Sequence, residues 1–185
     1  MSEQNDTLII QCREGDSNAF RKLMEQYQTY VFSVAFRFLC NEEDARDIVQ
    51  ETFLRIWKHI SKYNFQQKFT TWLYTITSRL CFDKIRHKKR QRNLKRIHKA
   101  EQMEIGPDVE KALQNREIAD RITDFAEKLT PKQRMVFILR DLQDLTIQEV
   151  SGILDMPVHS VKSNLYYARK NIREKIEKWE NCHEL

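Results

Sequence analysis

The chain of 185 residues carries 32 basic and 27 acidic side chains, a net charge of +5, with only 3 glycines and 3 prolines. So few turn formers cannot supply the corners of a sandwich or barrel, which excludes an all-β fold. An apolar content of 41% provides for a core and excludes a disordered chain, and no apolar run approaches the roughly 18 residues of a membrane span.

The start of the chain, Met1 to Asp6, is polar and acidic and lacks the pattern of a secretion signal. The cysteines (Cys12, Cys40, Cys81, Cys182) lie far apart, without the close pairs of a zinc site or a disulfide scaffold. Both observations point to a cytoplasmic protein with reduced thiols. Phe20, Leu23, Met24, Tyr27, Val31, Val34 and Phe38 then recur at helical spacing. Asn41 can cap a second helix, with Glu42, Glu43 and Asp44 in its first turn complementing the helix dipole. That helix places Ala45, Ile48, Val49, Thr52, Phe53, Ile56, Trp57 and Ile60 on its inward face. A third long helix starts near Thr70, carries Leu73, Ile76 and Leu80, and runs into a basic tract.

The tract is the main charge feature. Residues 1–100 hold 19 basic and 11 acidic side chains (+8), and residues 101–185 hold 13 and 16 (−3). From Lys84 to Lys99 there are nine basic residues and no acid, among them Lys84, Arg86, Lys88, Lys89 and Arg90. Such a run is either a solvated helix end or a contact for a polyanion. Just before it, Tyr63, Phe65, Phe69, Trp72 and Tyr74 form an aromatic stretch. Its rings either fill the core or stack on unpaired bases beside the cations.

The charge reversal and Gly106-Pro107 place a domain boundary within 96–108, dividing the chain into 1–95 and 109–185. In the second part, Val109 to Leu129 reads as an amphipathic helix. Thr130-Pro131 with Gln133 and Thr146 with Glu149 are capping boxes that open two more. After Asp155-Met156-Pro157 comes a long helix with Val158, Val161, Leu165, Ala168, Ile172, Ile176 and Trp179 inward. The stretch Thr146 to Lys170 therefore has helix-turn-helix spacing. It leaves His159, Ser160, Lys162, Ser163, Asn164 and Tyr167 on the outer side of the second helix, where side chains can reach base edges, with Arg169 following for the DNA backbone. An ordinary helical hairpin with a polar face has the same pattern. The expected fold is all-α: two small helical domains joined by a linker, the C-terminal one a helix-turn-helix.

Catalysis finds little support. There is no glycine-rich phosphate loop and no nucleophile elbow, and the histidines lack metal-ligand spacing. No metal, cofactor or small-molecule substrate is expected.

Three segments carry a family resemblance. Asp44 to Trp57 (DARDIVQETFLRIW) resembles the core-polymerase-binding helix of bacterial sigma factors. Phe69 to Ile76 (FTTWLYTI), followed by Asp83 to Arg86 and the basic run, resembles the promoter-melting region of the same family. Leu129 to Arg134 (LTPKQR), Val136 to Arg140, Val161-Lys162-Ser163 and Ala168-Arg169 are similar to its C-terminal domain. Small size and two domains without intervening modules point to the extracytoplasmic-function group. The resemblance implies a subunit that gives RNA polymerase its promoter choice. Asp47, Gln50, Glu51 and Leu54 would meet core polymerase, and the N-terminal domain would capture the minus-ten element as a partly unpaired strand. The C-terminal domain would read the minus-thirty-five element of promoter DNA, and an anti-sigma factor would withhold the protein until it is needed. The family often has Asn at the position of Arg79, which is linked to reading the downstream element. It often has Gly at Asp155 and His159, and Arg at Asn164 and Tyr167. A stand-alone helix-turn-helix regulator and a nucleic-acid-processing enzyme are the competing readings. The first would need a dimer seam, and the second clustered carboxylates on the basic face.

Overall fold

The computed structural model describes the backbone of residues 2–98 and 129–183, and the side chains of 5–92 and 129–177. Every regular element among them is helical. The first half comprises α1 (Ser2–Arg13), α2 (Ser17–Leu39), α3 (Glu42–His59), a 3-10 turn (Ile60–Lys62) and α4 (Phe69–His98). The second comprises α5 (Pro131–Phe137), continued by a π-helical turn (Ile138–Leu142), then α6 (Ile147–Leu154) and α7 (Val158–His183). Helix α4 runs three residues into the stretch expected to be linker. The rest of that stretch, and the helix expected from Val109, lie outside the described residues apart from Leu129, which is buried.

Local chemistry sets most of the boundaries. Helix α1 ends at Gly15, whose φ of 90° suits a residue without a Cβ. Asp16 then caps α2, its carboxylate accepting from the amides of Asn18 and Ala19 at 2.7 and 3.2 Å. Asn41 caps α3 by accepting from the Asp44 amide at 2.8 Å. Thr130 with Gln133 and Thr146 with Glu149 form both expected capping boxes. Asp155 closes α6 in the left-handed region, at φ 50°.

Two apolar bodies hold these helices. One gathers Ile9 and Cys12 of α1, Leu23, Tyr27 and Val31 of α2, Phe53 and Ile56 of α3, and Tyr63, Phe69 and Leu73. The other joins Val34, Ala35 and Phe38 of α2, Ile48 of α3 and Tyr74 and Cys81 of α4 to Met135, Leu139, Val150, Ile153 and Val161 of the second half. The two halves therefore share a core. Polar contacts frame that seam. Arg134 Nη1 donates to the Phe38 carbonyl at 2.8 Å, and Tyr74 Oη lies 2.9 Å from Gln143 Oε1. Lys68 Nζ donates to Glu149 Oε1 at 2.7 Å. Burial pushes the Cys12 thiol up to about 11 and the Cys81 thiol higher still, which keeps both protonated and unreactive near neutral pH.

Three expected core positions are corrected. Trp57 is 38% exposed, because α3 turns it to the rim of the first body, where it leans on the Phe20 ring at 4.8 Å between centroids. Val158, the first residue of α7, and Ile176, past the buried Val161, Leu165 and Ala168 of the same helix, are both exposed. Trp179 lies outside the described side chains.

Phe38 is fully buried and touches both halves. Phe38→Ala should lower stability by about 3–5 kcal/mol in urea titration. The Glu149 carboxyl is held down to about 2, first by the hydrogen bond from Lys68 and then by the Thr146 amide. This stabilisation is present above the ordinary carboxylate pKa and is lost as pH falls towards 2. Replacing Lys68 by Ala should raise the Glu149 pKa, while the remaining Thr146 cap keeps it below the ordinary value. An NMR titration of that carboxyl reads both, and an unchanged pKa would mean the seam is not paired in solution.

Candidate functional site

Helix α3 buries Ala45, Ile48, Thr52, Phe53 and Ile56 against α2 and α4. Asp47, Gln50, Glu51 and Leu54 follow the i, i+3, i+4, i+7 rule and share the opposite ridge. Leu54, at 63% exposure, is a large apolar side chain left in solvent. The ridge divides two grooves. One, of about 990 Å³, lies between α2 and α3 over Phe20, Met24, Phe32, Val49, Phe53 and Trp57. The other, of about 460 Å³, lies between α3 and α4, with Asp47 and Glu51 facing Leu80, Asp83, Lys84 and His87. Gln50 and Leu54 border both. Glu51 pairs with Arg55 at 2.8 Å along the helix.

The basic run divides into two kinds of cation. Lys84 reaches Asp44 at 3.1 Å and Asp47 at 3.0 Å, and Lys88 also reaches Asp44. These two lysines brace α4 to the start of α3. Arg86 pairs with Asp83 one turn back along its own helix. Arg79, Lys89, Arg90 and Arg92 are exposed and meet no carboxylate among the described residues. They are the cations that α4 offers outward.

Of the aromatic stretch, Tyr63, Phe69 and Tyr74 are buried and Trp72 is half-buried, so most of it is core. Phe65 is the exception, 40% exposed on the loop between the 3-10 turn and α4. That loop has its own order. Asn64 Oδ1 accepts from the Gln66 amide at 2.9 Å, and Tyr63 donates its hydroxyl to the Gln67 carbonyl. The sequence reading missed α1, whose Arg13 reaches this loop. Its signal was only Leu8, Ile9 and Cys12 ahead of Gly15-Asp16.

The helix-turn-helix packs through Val150 and Ile153 of α6 and Val161, Leu165 and Ala168 of α7. His159, Lys162, Ser163 and Tyr167 are exposed on α7, and Ser160 and Asn164 are half-buried. Asn164 Nδ2 donates to the Ser160 carbonyl at 2.8 Å, within its own helix. Arg169 makes two hydrogen bonds to Asp141, at 2.8 and 2.7 Å, and so ties α7 to the π-helical turn. Tyr166, which the spacing did not single out, is 65% exposed beside Tyr167. Among the described residues no group of His, Cys, Asp and Glu could hold a metal ion, and no helix is long and apolar enough to cross a membrane.

Comparison with known proteins agrees with this layout. The Sigma-70 region 2 family matches residues 23–91, and Sigma-70, region 4, matches residues 114–172. The chain is 30% identical to the ECF RNA polymerase sigma factor SigW of Bacillus subtilis, over 91% of this chain and 94% of that protein. It is 28% identical to the ECF RNA polymerase sigma-E factor of Escherichia coli K12, over 96% and 97% of the two chains. CnrH, solved in complex with the cytosolic domain of CnrY, shares the fold with a TM-score of 0.73, at 20% identity over 95% of this chain and 98% of that one. With both regions in order and a relative at this identity matched nearly end to end, the chain belongs to the extracytoplasmic-function group of RNA polymerase sigma factors.

Proposed function

We propose that this sigma factor docks on core RNA polymerase through the α3 ridge of Asp47, Gln50, Glu51 and Leu54, and then directs initiation at its own set of promoters. The observation that carries this is Leu54, exposed on the ridge beside Asp47, Gln50 and Glu51 and at the border of the apolar α2–α3 groove. A large exposed apolar side chain flanked by polar groups has the make-up of a protein interface. The exposed cations Arg79, Lys89 and Arg90, with Arg86, suit the phosphates of the minus-ten element, and Phe65 offers a ring to an unpaired base. Lys84 and Lys88 belong to the same surface but are engaged with Asp44. His159, Ser160, Lys162, Ser163, Asn164 and Tyr167 of α7 suit the major groove of the minus-thirty-five element, and Arg169 lies beside them. The protein has no catalysis of its own, acts in the cytoplasm, and is withheld by an anti-sigma factor.

Transcription by core polymerase with and without the protein, followed by sequencing of the transcripts, tests the whole reading. New start sites are expected only when it is present. Identical start sites, with tight specific duplex binding by the free protein, would instead favour a stand-alone regulator. Glu51→Lys combined with Leu54→Ala should leave helical CD and melting unchanged while co-purification with polymerase is lost. A collapse in melting would make these residues structural.

Phosphate contacts and base contacts separate by salt and sequence. Replacing Lys89 and Arg90 by Ala should weaken promoter binding by the holoenzyme at every sequence and flatten its salt dependence by ~2 units of slope. Asn164→Ala should change preference at one or two base positions, by ~1–3 kcal/mol. A promoter library transcribed at two salt concentrations distinguishes them, and a uniform loss for Asn164→Ala would reverse the roles.

A further inference from the structure

Arg13, the last residue of α1, is exposed. Its guanidinium nevertheless makes three contacts, all to one segment. Nε donates to the Ile60 carbonyl at 3.2 Å, Nη2 donates to the Tyr63 carbonyl, and the group lies 4.6 Å from the centre of the Phe65 ring. A planar fork can bond two carbonyls and stack on a ring at once, which an ammonium cannot. Phe65 also packs steeply against Tyr63, with ring centroids 5.1 Å apart and 74° between the planes. One neighbour covers a face and another packs across it at a steep angle, while Phe65 stays 40% exposed. The Sigma-70 region 2 match begins at residue 23, so this clasp comes from outside the matched region.

We propose that Arg13 is a positioning residue that pre-organises the 60–65 loop so that Phe65 receives an unpaired base of the minus-ten strand. The proposal rests on the assignment of that loop to the strand. A ring held in its receiving orientation loses less freedom on binding than one on a free loop, so affinity rises without a new contact to DNA.

The test uses holoenzyme and a fluorescein-labelled single-stranded oligonucleotide, taken from the minus-ten region of a promoter it transcribes. Binding is read by anisotropy for wild type, Arg13→Ala, Arg13→Lys, Phe65→Ala and the Arg13→Ala/Phe65→Ala double variant. Arg13→Ala and Phe65→Ala should each weaken binding about tenfold. The double variant should bind no worse than Phe65→Ala, because one residue acts through the other. Arg13→Lys should behave like Arg13→Ala, while core polymerase affinity and melting temperature stay at wild-type values. Additive losses, or an unchanged Arg13→Ala, overturn the proposal. Full binding by Arg13→Lys overturns it too, since Arg13 would then act as a simple cation on phosphate. An equal loss of core affinity makes its role structural. Normal binding by Phe65→Ala removes the loop's assignment, and the proposal falls with it.

Discussion

Helix α2 belongs to two apolar bodies at once, and the placement of every other element follows from that division. Its earlier turns give Leu23, Tyr27 and Val31 to the body that seats α1 and the end of α3. Its last turns give Val34, Ala35 and Phe38 to the body shared with the second half of the chain. Since α3 packs on the same helix, its buried face is fixed and the opposite ridge has nowhere to point but outward. The carbonyl of Phe38, near the end of α2, accepts from Arg134, so the same terminus also anchors α5. At the other end, the aromatic contact between Tyr27 and Phe69 sets where α4 begins, and with it the loop before α4.

Charge adds a second constraint that cannot be reduced to a count. Asp44 is 8% exposed. Burial pushes its carboxyl up, but hydrogen bonds from Lys88 and Lys84 outweigh that and leave its pKa below the ordinary value. A carboxylate so placed needs its partners, since an unpaired charge at that depth is strongly unfavourable. The two lysines are thereby drawn from the outward surface into the joint between α3 and α4. Helices leaving a packed body in this way carry cations of two kinds, distinguished only by what lies one turn away on the neighbouring helix.

Much of this was legible in the residues. Capping boxes at Thr130 and Thr146, the Asn41 cap and the apolar stripes of α2 and α3 are local signals, and the structure realises them except at Trp57, which α3 turns to the rim. What was not legible depends on partners distant in sequence. Nothing near Lys84 announces Asp44, forty positions earlier, and nothing near Arg169 announces Asp141. The aromatic stretch could have been core or stacking surface, and only the packing of Tyr63, Phe69 and Tyr74 against α2 and the second half separates Phe65 from the rest. Helix α1 has too few apolar positions to declare itself, and Arg13 looks like any charged residue at a helix end. The ridge at Asp47, Gln50, Glu51 and Leu54 was visible as the face left over. Its two flanking grooves required the neighbouring helices.

The ion pair between Lys68 and Glu149 has a consequence of scale. It places the loop that carries Phe65 within one side chain of the first helix of the helix-turn-helix. Promoter elements centred near positions minus ten and minus thirty-five are about 25 base pairs apart, or ~85 Å of duplex at 3.4 Å per step. On the proposed division of promoter contacts, no rigid body with those two surfaces in contact spans that length, so promoter engagement would part the shared core. Met135, Leu139 and Val150 on one side, and Val34 and Phe38 on the other, then lose their mutual cover. The free energy of that separation is subtracted from whatever holds the open form, and a partner that takes only the open form binds with an affinity multiplied by the fraction of molecules already open. On that reading, a substitution in the seam would act as a setting on how readily this subunit competes for a limited supply of core enzyme.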